Sequence, residues 1–134
     1  MTWRRGLTVL LWSLVLFYGT CTVDPFHFYL SSFHFHTHAR YRDLLMMDFH
    51  FRSPKYTISK ICHFLGFFIF DILLVRWLHR PWLTLLIAIC FGVTTEIFQL
   101  YFGRDGRLYD MVIDSGGAVL SFWLQRLAGR RYAR

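Results

Sequence analysis

Four long apolar stretches, broken by short polar interruptions, run along the chain at about residues 7–23, 58–78, 82–102 and 108–128. Each approaches the roughly 20 residues that a helix needs to cross the hydrocarbon core of a bilayer. The third opens at Pro81, whose fixed φ and missing N–H suit a first helical turn. The first follows Arg4 and Arg5, and the fourth is followed by Arg130, Arg131 and Arg134. The pattern predicts an all-α integral membrane bundle of four transmembrane helices forming a single domain over residues 1–134. Residues 24–57, rich in aromatic side chains and histidine, then form an extracytoplasmic segment between the first two helices.

Composition agrees with this reading. Of 134 residues, 55% are hydrophobic and 20% aromatic, well above the average of soluble domains. The net charge of +7 comes from basic residues at the ends of apolar runs, a placement that fits topology control and anionic headgroups better than nucleic acid. A basic start followed by an apolar stretch also resembles a secretory signal. Tyr18-Gly19-Thr20-Cys21, however, is neither a small-x-small cleavage site nor a lipobox, so the stretch is expected to stay as a span. Cys21, Cys62 and Cys90 have neither a disulfide framework nor metal spacing and read as packing residues, with a meeting of Cys21 and Cys62 at one surface left open.

Arg4, Arg5, Arg76, Arg80, Arg126, Arg130, Arg131 and Arg134 fall at span ends that share one side, which the positive-inside rule makes cytoplasmic together with both termini. Arg40, Arg42, Arg52, Lys55 and Lys60 lie on the other side and reduce the bias.

Antiparallel threading has a second consequence. The start of the second span, the end of the third and the start of the fourth must share one membrane surface. Those places hold Lys60 and His63, Glu96 and Gln99, and Asp110 and Asp114, with Arg104 and Arg107 in the connecting loop. Helical spacing sets Lys60, His63 and Phe67 on one stripe, Gly92, Glu96, Gln99 and Gly103 on another, and Asp110, Asp114, Gly117 and Ser121 on a third. Small residues among them permit close helix approach. Asp71 stands apart, about 16 Å along its helix from Lys60 at the α-helical rise. Two readings are compatible. In one, Lys60, Arg104 and Arg107 neutralise Glu96, Asp110 and Asp114 in a network that locks the helices. In the other, the groups line a polar pocket at the outer face, where Lys60 or Arg104 holds a phosphate or carboxylate and His63, Glu96, Asp110 or Asp114 moves protons.

The same residues carry a family resemblance. Lys60-x-x-His63-Phe64, Glu96-x-x-Gln99, Arg104 followed six residues on by Asp110, then Asp114 and Gly117-Ala118, resemble the motif series of the VanZ-like membrane proteins, over about residues 58–122. Asp114 departs from the Asn usual in that family and adds a charge, and the Glu96-to-Arg104 gap is about one residue short. The resemblance implies a small four-span envelope protein of Gram-positive type, from a family named for low-level resistance to the glycopeptide teicoplanin. It brings no defined molecular activity.

His34, His36 and His38 alternate with Phe33 and Phe35, so on a strand the histidines would share a face of the kind that binds zinc, copper or nickel. No Asp, Glu or Cys stands beside them as a further ligand, and the segment reads instead as an aromatic layer at headgroup depth, as does His50 between Phe49 and Phe51. Residues 41–49 are expected to form a short interfacial helix, and the segment as a whole to cover the polar cluster. No metal and no cofactor is expected.

Three function classes follow. The first is a non-enzymatic protein that binds an anionic lipid, a wall precursor or a glycopeptide through Lys60, His63, Glu96, Gln99, Arg104, Asp110 and Asp114. The second is a membrane enzyme acting on a lipid headgroup or peptidoglycan-linked substrate, with His63, Glu96, Asp110 and Asp114 as acid and base; G-x-S-x-G and H-E-x-x-H are absent from the sequence. The third is a transporter subunit, which four short spans can build only as a homo-oligomer. Membrane lipids are expected partners in each, and nucleic acid in none.

Overall fold

The computed structural model describes residues 2–21, 41–45, 53–102 and 106–132. Its elements are four long helices, α1 (Thr2–Cys21), α2 (Pro54–Leu78), α3 (Pro81–Tyr101) and α4 (Leu108–Tyr132), with a short 3-10 helix at Tyr41–Leu45. All of the described secondary structure is helical. The 3-10 helix covers the first part of the interfacial helix expected over residues 41–49; the remainder lies outside the described residues, as do His34, His36, His38 and His50.

The helices extend beyond their apolar runs. α2 begins at Pro54, because Ser53 is extended and proline fits the first turn; Thr57 N–H then bonds to the Ser53 carbonyl at 3.2 Å. At the other end of α2, His79 takes a left-handed conformation (φ 55°) and donates its N–H to the Val75 carbonyl at 2.9 Å. Pro81 keeps Arg80 out of helical geometry and restarts the chain as α3. The two helices are thus joined by a two-residue reversal. α4 runs past Ala128 to Tyr132.

Neighbouring helices run antiparallel. Trp12 on α1 donates its indole N–H to the Gly66 carbonyl on α2 at 3.0 Å, and Leu16 occupies the space a Gly66 side chain would fill. Arg5 reaches the Arg76 carbonyl at 2.9 Å, which joins the start of α1 to the end of α2. Arg126 on α4 lies 5.1 Å over Trp82 at the start of α3, so these four helix ends share one side. Phe17 near the end of α1 meets Phe98 and Phe102 edge-on at the opposite side. Helix α2 touches all three others and packs most extensively on α4. There a Cβ at Gly117 would collide with the Phe64 carbonyl, so glycine sets the approach of the two backbones.

The interior holds Phe67, Phe70, Leu74, Ala88, Ala118 and Phe122, but it also buries Asp71, Thr84, Thr95, Glu96, Asp114 and Ser121. Large apolar side chains such as Leu14, Val15, Leu86, Val112 and Trp123 face outward. α2 and α3 are each long and apolar enough to cross a membrane. In α4 the polar residues concentrate on the buried stripe. Cys21 is buried and Cys62 exposed, and no disulfide joins the described cysteines.

Candidate functional site

Three helix ends build the site. The start of α2 supplies Lys60 and His63, the last turns of α3 supply Glu96 and Gln99, and the first turns of α4 supply Asp110 and Asp114. Glu96 and Asp114 are fully buried, and His63, Gln99 and Asp110 nearly so. Spacings of three and four residues put each pair on one helix face, and antiparallel packing turns the three faces together. Bare backbone permits the depth: a Cβ at Gly92 would stand 3.3 Å from both the Asp114 Cβ and the Phe67 ring.

Lys60 Nζ donates to Asp110 Oδ2, and the ammonium lies 5.0 Å and 5.2 Å from the ring centres of Tyr56 and Tyr109. The Tyr56 hydroxyl donates to the Tyr109 hydroxyl at 3.0 Å, closing this wall. With its side chain 20% exposed, Lys60 carries the cluster to the surface. Deeper in, His63 Nδ1 stands 3.3 Å from Asp114 Oδ1 without hydrogen-bond geometry. Glu96 Oε1 accepts from Gln99 Nε2 at 2.7 Å, and Oε2 accepts from the Arg107 backbone N–H at 3.1 Å. That second bond pins the loop entering α4 against α3. Gly106 is needed there, since a Cβ would strike the Glu96 carbonyl oxygen.

Six of the seven residues singled out in the sequence, Lys60, His63, Glu96, Gln99, Asp110 and Asp114, therefore meet at one end of the bundle; Arg104 lies outside the described residues. Sequence reasoning missed Tyr56 and Tyr109 as the walls around Lys60, although Tyr56 stands one helical turn before it. It also gave Arg107 a part through its charge and did not foresee that its main-chain N–H bonds to Glu96. A second polar group was only hinted at by Asp71. Gln125 Nε2 donates to Asp71 Oδ2 at 3.0 Å and lies 2.9 Å from Ser121 Oγ, near the opposite end of the bundle. Gln125 continues the Asp110, Asp114, Ser121 stripe by one more turn, which is the signal that would have found it.

Chemically, the cluster at this end of the bundle is a buried acidic pocket. Asp110 Oδ1, both oxygens of Asp114 and His63 Nδ1 are buried without hydrogen-bond partners. Buried polar atoms are rarely left so. Such a pocket can hold a proton or a cation inside and can meet an anion through Lys60 at its mouth.

An all-helical chain with acids inside and apolar side chains outside has the character of a small helical membrane protein. It belongs to the VanZ/LLP1 family, which it matches over residues 7–129. It is 33% identical over 126 residues to the "Uncharacterized membrane protein YwnJ" of Bacillus subtilis (strain 168), covering 90% of this chain and 89% of the relative. No solved structure matches the chain.

Proposed function

We propose that all four helices cross the cell membrane, with both termini cytoplasmic, and that the cluster at the outer end holds the phosphate-bearing headgroup of an envelope lipid. Either an anionic phospholipid or a lipid-linked wall precursor supplies that chemistry. The orientation is supported by the grouping of Arg5, Arg76 and Arg126 at the end opposite the acids. It predicts that green fluorescent protein fused to the C-terminus fluoresces, whereas alkaline phosphatase fused after Gly106 is active. The reverse pattern would invert the assignment.

The observation that carries the headgroup reading is Lys60, anchored on buried Asp110 yet reaching the surface between two tyrosines. An ammonium has three donors, so it can keep Asp110 and still meet a phosphate oxygen. The tyrosine rings suit the boundary between headgroup and acyl chain.

Lipids extracted from the purified full-length protein and identified by mass spectrometry test this. The wild type should retain a phosphate lipid near one per chain. Lys60→Gln should lose about tenfold, on the order of one charge-assisted hydrogen bond, judged on samples with wild-type helical circular dichroism, since buried Asp110 also loses its counter-charge and the melting temperature falls. Lys60→Arg should retain it. A lipid-free wild type, or a Lys60→Gln protein that keeps its lipid, would refute the reading. Teicoplanin binding that competes with lipid would make a glycopeptide the rival occupant of this mouth, and protection against that drug would then follow from the site. The His63–Asp114 pair supports a second reading, acid/base chemistry on the headgroup. It requires a retained lipid to be chemically altered by wild type and unaltered by His63→Gln.

A further inference from the structure

The buried part of the cluster has more acceptor atoms than the described residues supply with donors. We propose that His63, Glu96 and Asp114 form a binding site for one divalent transition-metal ion. One ligand atom from each lies within 4.8 Å of the others, and the three come from α2, α3 and α4 respectively. Ligand atoms around a single ion, each about 2.0–2.2 Å from it, stand about 3–4 Å apart, so small side-chain rotations close the set.

A second observation points the same way. Asp114 is completely buried, and neither of its oxygens has a hydrogen-bond partner; His63 Nδ1 beside it has none either. An ion between them would satisfy these atoms together. Its two positive charges would balance the carboxylates of Glu96 and Asp114, with a neutral imidazole as third ligand. Lys60 pairs with Asp110 and makes no hydrogen bond to Asp114.

Glu96 is already oriented for the task. Gln99 and the Arg107 N–H hold its two oxygens, and each oxygen keeps a second lone pair. Such outer partners fix ligand direction and strengthen metal affinity. Imidazole with carboxylates favours zinc or iron over magnesium, calcium or manganese, which prefer oxygen-only sets. The inference stands apart from the headgroup reading, since an ion can bind without lipid and lipid without an ion.

The test uses the full-length protein in detergent, stripped with EDTA, exposed to Zn2+, desalted and measured by elemental mass spectrometry. About one zinc per chain is expected, with a rise in melting temperature as the ion binds the folded state. Asp114→Asn and His63→Gln should each weaken zinc affinity at least about tenfold, as loss of one ligand does. Each variant is judged on samples with wild-type helical circular dichroism. A triple variant, His34→Ala/His36→Ala/His38→Ala, should keep the ion. The proposal is overturned if the wild type binds no zinc after desalting, if both single variants bind as the wild type does, or if the triple variant loses the ion.

Discussion

Gly117→Ala is expected to be the most damaging addition of a single methyl group among the glycines of the described helices. The new Cβ would run into the carbonyl oxygen of Phe64 and lie 3.2 Å from the Phe68 nitrogen. Both are main-chain atoms inside α2, so neither can swing aside. The helices must separate along their most extensive contact, which also carries Asp114 and Ala118. Overpacking of this kind costs about 1–3 kcal/mol, with the upper end expected where a rigid backbone is struck. In a helix, Gly→Ala otherwise stabilises by about 1 kcal/mol. The neighbours provide the control. A Cβ at Gly116 meets only the Phe64 ring at 3.5 Å, and one at Gly129 meets nothing within 4 Å. Thermal unfolding in detergent should show Gly117→Ala several degrees below wild type, with Gly116→Ala and Gly129→Ala at or above it. Equal behaviour of the three variants would refute the close contact of α2 with α4.

Glu96→Ala should come next. It removes the acceptor of the Arg107 N–H and of the Gln99 amide, both buried, and leaves a void in a fully buried site. An orphaned buried donor costs about 1–3 kcal/mol, and the cavity adds to that. Loss of one carboxylate from beside Asp110 and Asp114 relieves some repulsion, but two unmet donors outweigh it, and a net loss of about 3 kcal/mol is expected. Glu96→Gln keeps the volume and one acceptor oxygen, so it should lose far less. Trypsin adds a local readout: cleavage after Arg107 should quicken in Glu96→Ala while Glu96→Gln stays near wild type. If Ala and Gln variants unfold alike, the bond to the loop is not what Glu96 contributes.

Much of this was visible before any coordinates. Apolar runs of near-bilayer length mark all four long helices, and their alternation sends Lys60, Glu96 and Asp110 to one end. Their i, i+3 and i, i+4 partners follow from helix geometry alone. What stayed hidden depends on the packing of one element against another. No periodicity shows that Arg107 acts on Glu96 through its backbone, because main-chain donors carry no residue code. The helix starts at Thr2 and Pro54 were missed because their first turns are polar, while caps and proline, not hydrophobicity, set where a helix begins. The gathering of His63, Glu96 and Asp114 at one end follows from the antiparallel threading, but how closely their ligand atoms approach, within 4.8 Å of one another, does not. Residues on three separate helices leave no local spacing from which such a distance can be read.

The polar stripe of α4 has a bearing on how the protein is made. If α4 crosses the membrane as proposed, it would alone present Asp110, Asp114 and Gln125 to lipid, and an Asp costs up to about 2.5–3.5 kcal/mol on insertion at the bilayer centre and less near the surface. Helices α2 and α3, linked by only His79 and Arg80, form a far more apolar hairpin that can enter first. α4 then gains partners for two of these side chains as it arrives, Lys60 for Asp110 and Asp71 for Gln125, while Asp114 is buried beside His63. On that topology assembly has a direction, and a chain halted before Leu108 holds the whole hairpin but leaves Asp71 without the amide of Gln125.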